Sequence, residues 1–182
     1  MTIKTIGVFL GSQFGSNPKF KMQTQALGKQ IADRGLHLVY GGGKDGLMGT
    51  LATSVMANHG EVLGISPRNL AEDAIDADKI TQLIEVESMT ERKQLLIDYS
   101  DVFVVLPGGL GTLEELAQVI ISWGKLGLHH KPLILYSING FYDYFEKWLN
   151  QMVDDHFVNT SDMKWVHVYD NLEEVMAMID SM

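Results

Sequence analysis

Short, largely β-branched apolar runs recur along the chain and alternate with longer stretches whose apolar positions return every three or four residues. The two periods are those of strand and helix. They predict strands at 5–10, 37–40, 61–65, 82–86, 102–106, 133–136 and 165–168, and helices at 18–34, 46–59, 88–99, 112–126, 141–155 and 171–180. Several strands are apolar on every residue, Val102-Phe103-Val104-Val105-Leu106 most clearly. That is expected where helices cover both faces of a sheet. Regular alternation of strand and helix implies an α/β fold, a Rossmann-like parallel sheet flanked by helices. The 182 residues suit a single domain over 1–182, with no repeat and no linker. Residues 67–80 are the least patterned stretch.

Open parallel sheets bind ligands beyond the carboxyl ends of their strands, so the strand-to-helix turns hold the candidate chemistry. The strongest is Pro107-Gly108-Gly109-Leu110-Gly111-Thr112, followed by Leu113-Glu114-Glu115. Here an apolar strand runs into glycines and then into a helix expected to start at Thr112. Bare backbone N–H groups at a helix start make a phosphate cradle. The competing explanation is a tight turn with Thr112 as N-cap and Glu115 closing a capping box. It accounts for the two polar residues but not for the three glycines. The second turn, Gly41-Gly42-Gly43-Lys44-Asp45-Gly46, falls short of a P-loop because Asp45 follows the Gly-Lys pair where Ser or Thr belongs. Gly42 and Gly43 are candidate nucleotide contacts, as are Gly11 and Ser12 in the first turn.

A separate signal lies in Ser88-Met89-Thr90-Glu91-Arg92-Lys93. Ser88 and Glu91 have capping-box spacing, so a helix begins there. At 100° per residue, Arg92 and Lys93 fall inside the arc of Met89, Leu95, Leu96, Ile97 and Tyr99. Cations are rarely turned toward a core unless paired. Either they snorkel or form a structural salt bridge, or they face a pocket for an anion, which a guanidinium would grip with two hydrogen bonds. On the helix after the glycine turn, Leu113, Leu116, Ala117, Ile120 and Ile121 form the expected core stripe. Glu115 and Ser122 share an adjacent face, and Glu114 points away into solvent.

Composition narrows the chemistry. A net charge of −9 argues against binding to nucleic-acid polymers or anionic membranes. The absence of cysteine excludes disulfides and thiolate metal sites. No apolar run is long enough to span a bilayer and residues 1–8 read directly as a strand, so the expected location is cytoplasmic. His129-His130 reads as loop, and neither a metal nor a cofactor is expected.

These motifs in this order resemble the LONELY GUY family of cytokinin-activating phosphoribohydrolases, whose members have often been labelled lysine decarboxylases. The resemblance spans essentially the whole chain. Its PGGxGTxxE element is Pro107 to Glu115, its GGGxxGLMG element Gly41 to Gly49, and its Met-x-x-Arg-Lys element Met89 to Lys93. Trp123-Gly124-Lys125-Leu126-Gly127-Leu128-His129 matches a fourth. The resemblance implies a homodimer that hydrolyses the N-glycosidic bond of a purine nucleoside 5′-monophosphate, giving free base and ribose 5-phosphate. It implies Arg92 and Glu115 as the catalytic pair. Lys93, Gly108, Gly109, Leu110, Gly111, Thr112 and Glu114 would serve phosphate and ribose, with Met89 and Ser122 as further contacts. Two departures stand out: Leu10 replaces a common cysteine before Gly11-Ser12, and the 67–80 stretch offers only Glu72 or Asp73 as a base-contacting acid. A general AMP or nucleotide nucleosidase and a non-catalytic carrier are the alternatives. A true lysine decarboxylase would need a pyridoxal-phosphate lysine, and no such element is recognisable. With one strong carboxylate candidate, direct water attack and a covalent intermediate both stay open.

Overall fold

The computed structural model describes residues 3–122, 127 and 130–182. In chain order it contains β1 (Thr5–Phe9), α1 (Pro18–Asp33), β2 (His37–Tyr40), α2 (Gly46–Ala57), β3 (Glu61–Pro67) and β4 (Gln82–Val86). Then come α3 (Met89–Asp98), β5 (Val102–Val105), α4 (Leu110–Ile120), β6 (Leu133–Tyr136), α5 (Asp143–Asp154), α6 (Thr160–Met163), β7 (Val166–Tyr169) and α7 (Leu172–Asp180). All seven expected strands form, and all are parallel in one sheet of order β4-β3-β2-β1-β5-β6-β7.

Alternate residues of each strand feed two cores. Ile6, Val8, Leu38, Val102, Val104 and Ile134 pack with Leu27 and Ile31 of α1, Leu51 and Val55 of α2, and Val175 and Ile179 of α7. Phe9, Val39, Ile65, Phe103, Val105 and Leu135 pack with Leu96 and Ile97 of α3 and Leu116 and Val119 of α4. Side chains of period two, all apolar, are what a sheet covered on both faces requires.

The winding reverses between β1 and β5, because the chain moves outward from β1 through β4 and then returns to β1's other edge. Loops that leave neighbouring strands in opposite directions open a crevice at that point. The turns after β1 and β5 flank it.

Two expectations about local structure need correction. α4 begins at Leu110 with Gly109 as N-cap, two residues earlier than expected. The Leu113 N–H donates to the Gly109 carbonyl at 3.0 Å. Thr112 therefore lies inside the first turn and is buried, which removes the Thr112–Glu115 capping box. The core stripe of α4 is also rotated: Thr112, Leu116 and Val119 are buried, whereas Leu113 and Ile121 are exposed. Tyr99, which caps the carboxyl end of α3, likewise lies half in solvent rather than on the core face. The Ser88 hydroxyl does accept from the Glu91 N–H at 3.2 Å, but the Glu91 carboxylate accepts from the Glu87 N–H, one residue past the Ser88 N–H that a true capping box uses.

The unpatterned stretch folds as two 3-10 turns, Arg68–Asp73 and Ala77–Lys79. Between them the chain bridges to the β2 loop. Ile75 N–H donates to the Gly42 carbonyl at 2.8 Å and Lys44 N–H to the Asp73 carbonyl at 3.0 Å, around an antiparallel Gly43–Ala74 bridge.

Candidate active site

The loop after β5 is fastened from both sides. Leu106 N–H donates to the Phe9 carbonyl at 2.9 Å and Gly11 N–H to the Pro107 carbonyl at 3.1 Å, which join it to the β1 turn. From the other side the buried Tyr142 hydroxyl donates to the Leu106 carbonyl at 2.7 Å. Gly108 has no room for a side chain, because a Cβ there would collide with the Thr112 hydroxyl. At Gly109 and Gly111 a Cβ would meet nothing. The N–H groups of Leu110, Gly111 and Thr112 precede the first bond within α4, so they are donors with no partner inside the helix. A fixed turn of this kind, open on its outer side, suits an anion.

Arg92 enters the site from α3 and is 7% exposed. Its Nε donates to the Ile65 carbonyl at 3.1 Å and its Nη2 to the Gly41 carbonyl at 3.3 Å. Nη1 faces Glu115 Oε1 at 3.3 Å and the Met89 sulfur at 3.9 Å. The guanidinium is thus paired and orientated before any ligand arrives. Gly41 is obligatory for this, since a Cβ at that position would fall on the guanidinium.

Glu115 reaches the same point from α4, with 11% of its side chain exposed. Burial pushes its carboxyl up to about 7. Arg92 and Lys93 oppose that rise and Glu114 adds to it, but the loss of water outweighs them. Groups tuned close to neutral suit proton transfer. Lys93, 15% exposed, does not turn to the glycine loop; its ammonium meets the Glu114 carboxylate at 2.7 Å.

Beside Arg92 a cavity of about 350 Å³ opens over the ends of β1, β2 and β3. Ser12, Gly41, Gly43, Ser66, Pro67 and Arg92 are among its walls. The structure therefore gathers Ser12, Gly43 and Arg92 at one cavity and Gly11 and Gly108 at the crevice beside it. Gly42, at φ +73°, shapes the turn between them. Ser122 is buried one residue beyond Ile121, away from the cavity walls. The Trp123 to His129 motif, apart from Gly127, and the side chain of Glu72 lie outside the described residues. Asp73 does line the cavity.

Sequence reasoning missed Ser66 and Pro67. The rule that located the other loops applies equally to the carboxyl end of β3, so both were within reach. Tyr142 was not, because nothing in a lone tyrosine 36 residues downstream announces a bond to Leu106. Among the described residues no group of three or more His, Cys, Asp or Glu could hold a metal ion, and no helix is long and apolar enough to cross a membrane.

A doubly covered parallel sheet with a switch-point crevice defines a Rossmann-like α/β protein, and the glycine turn and buried Arg–Glu pair make the strand ends its candidate site. Residues 48–179 match the family described as "Possible lysine decarboxylase". The chain is 38% identical over 178 residues to a cytokinin riboside 5′-monophosphate phosphoribohydrolase of Arabidopsis thaliana, LOG5, covering 98% of this chain and 78% of the relative. A second Arabidopsis thaliana enzyme of the same description, LOG2, is 36% identical, with 97% and 83% covered. The chain belongs to this LONELY GUY family. Among solved structures, the molybdenum cofactor carrier protein of Chlamydomonas reinhardtii shares the fold with a TM-score of 0.74 at 21% identity, covering 98% of this chain and 97% of that one. The molybdenum cofactor binding protein of Rippkaea orientalis does so at 0.72 and 23%, covering 100% and 98%.

Proposed function

We propose that this protein hydrolyses the N-glycosidic bond of a purine riboside 5′-monophosphate, with an N6-modified base as the preferred substrate, without a cofactor. The observation that carries this is the buried Glu115 carboxyl, held 3.3 Å from Arg92 and tuned to about 7, close to a glycine turn suited to phosphate. The curated relatives named for this reaction support it.

In the reaction the C1′–N bond breaks and its electron pair leaves with the base. Water supplies the new C1′ hydroxyl and, in net balance, one proton to the base nitrogen. Positive charge builds on the sugar as the bond stretches, as in glycoside hydrolysis. Ionised Glu115 beside C1′ stabilises that charge and takes a proton from water. Arg92 holds Glu115 in place and presents a cation to the nucleotide. The Gly108 to Thr112 turn receives the 5′-phosphate.

Incubation with isopentenyladenosine monophosphate and with AMP, followed by chromatography of free base and ribose 5-phosphate, tests the assignment. Release from the modified nucleotide in preference to AMP is the expected result, and preference for AMP would indicate a general nucleosidase. Nucleotide binding without release of base from either would put the chain with the carriers whose fold it shares.

We further infer that the working form is a homodimer. Leu110, 85% exposed, lines one apolar hollow with Leu113, Phe141, Tyr144 and Trp148, directly beside Gly108 and Gly109. A surface of this kind belongs in an interface. Light scattering should give twice the chain mass of 20.3 kDa, falling to the single mass in Trp148→Glu; a wild-type protein at the single mass refutes the inference.

A further inference from the structure

We propose that Glu114 is a positioning residue: by holding the Lys93 ammonium at the rim of the site, it keeps that cation off Glu115 and so sets the pH at which Glu115 ionises. The proposal rests on the hydrolytic reading only for its catalytic consequence, not for the ionisation itself.

Lys93 and Glu115 line one crevice between α3 and α4, closed by Phe9, Leu96, Ile97, Gln118 and Val119. Those walls are apolar apart from the neutral Gln118, so the charges facing Glu115 from its surroundings are Arg92 and Lys93 on α3 and Glu114 on α4 itself. Arg92 is fixed by two backbone carbonyls and cannot move without breaking both bonds. Lys93 has no such restraint. Its flexible stem gives the ammonium a choice between two adjacent carboxylates, and it is found on Glu114 at 2.7 Å. Glu114 is 60% exposed, so its charge stays hydrated and ready to pair. Glu115 is left with one cation in direct contact, Arg92, and with Lys93 acting on it only from beyond ion-pair distance, in a place that burial makes hostile to its charge.

Without the Glu114 carboxylate, the anion that shares a crevice with Lys93 is Glu115. A second cation at close range would hold Glu115 ionised at lower pH. It would also tie the carboxylate into an ion pair instead of leaving it to act on water. Glu114 is the exposed end of the pair, at 60%, so exchanging its carboxylate for an amide tests the site at little cost to the fold.

The experiment is a carbon-13 NMR titration of the Glu115 side-chain carboxyl in the full chain, which needs no turnover. Glu114→Gln should move the midpoint down by about one pH unit. Glu114→Asp should hold it near the wild-type value, and Lys93→Met added to Glu114→Gln should bring it back up. Loss of the Glu114 charge itself contributes part of the drop, so an unmoved midpoint in Glu114→Gln, or a drop just as large when Glu114→Gln is made in Lys93→Met, overturns the proposal. Where base release is measurable, the acid limb of kcat/KM should follow the same shift, which a merely structural loss would not produce. A wild-type protein that releases no base would sink the hydrolytic reading and leave the titration result standing.

Discussion

Glu115→Gln is expected to lower kcat by about 10³- to 10⁴-fold while nucleotide affinity stays within a few-fold of wild type. The amide keeps the size of the side chain and can still accept a hydrogen bond from Arg92. What it loses is the negative charge that stabilises a developing sugar cation, and the ability to take a proton. Neither matters to a bound, unreacted nucleotide, whose phosphate is proposed to meet the α4 turn. The loss should therefore appear in kcat, the signature of an interaction made only in the transition state. Isothermal titration with nucleotide, set beside turnover, separates the two quantities. Retained turnover in the variant would remove Glu115 from the chemistry.

The same substitution has a second large effect, on stability, and its sign is opposite to that of most changes at a buried ion pair. The folded-state carboxyl titrates at about 7, against an ordinary value of 4.5. A group whose pKa is raised by folding contributes its full stability below the unfolded value and loses it as pH rises through the folded one. Wild-type stability should thus fall between about pH 4.5 and 7 by at most about 3 kcal/mol from this residue, then level off. Glutamine cannot ionise. Glu115→Gln should match wild type near pH 4, where Glu115 is neutral too, and exceed it at pH 8 by up to roughly 10 °C in Tm. Comparing the two proteins across pH cancels the other titrating groups. A variant less stable than wild type at pH 8 would show that the Arg92 pairing outweighs the burial of the charge.

On the proposed mechanism, a carboxylate that weakens its own fold at working pH belongs to the usual exchange of stability for function. Arg92 moderates that conflict without removing it. Buried pairs often fail to recover their desolvation, so Arg92 and Glu115 are better explained by chemistry than by stability.

Much of this was legible in the chain. Apolar runs such as Val102 to Leu106 located the strands, and strands buried on both faces must carry their loops to one edge, which led to Gly11, Gly43 and Gly108. Arg92 was conspicuous because a cation in an apolar arc needs a reason. Its reason proved to include the structural salt bridge that had been set against a ligand site, since the one guanidinium both pairs with Glu115 and lines the cavity. Other features were hidden for physical causes. Thr112 has the chemistry of an N-cap, yet Gly109 takes that place, and helix starts are decided by backbone geometry that several neighbouring residues could meet. The faces of α4 were misassigned because Leu113, Leu116, Val119 and Ile121 offer apolar side chains on more than one side, and periodicity alone does not rank them. The strap over residues 68–79 is held by backbone bonds to the Gly42 loop, which leave no side-chain pattern.

Arg92 spans the end of the β2–β3 pairing, with one nitrogen on Gly41 and another on Ile65. The last matched pair of that ladder is Tyr40 and Gly64, so the guanidinium sits where the next rung would be. Its aim is accordingly measured against two backbones rather than two side chains. A one-residue slip of β3 along β2 would carry one carbonyl about 3.3 Å out of reach and swing the arginine off Glu115. The alignment of two strands is thereby read out as the alignment of Arg92 with Glu115.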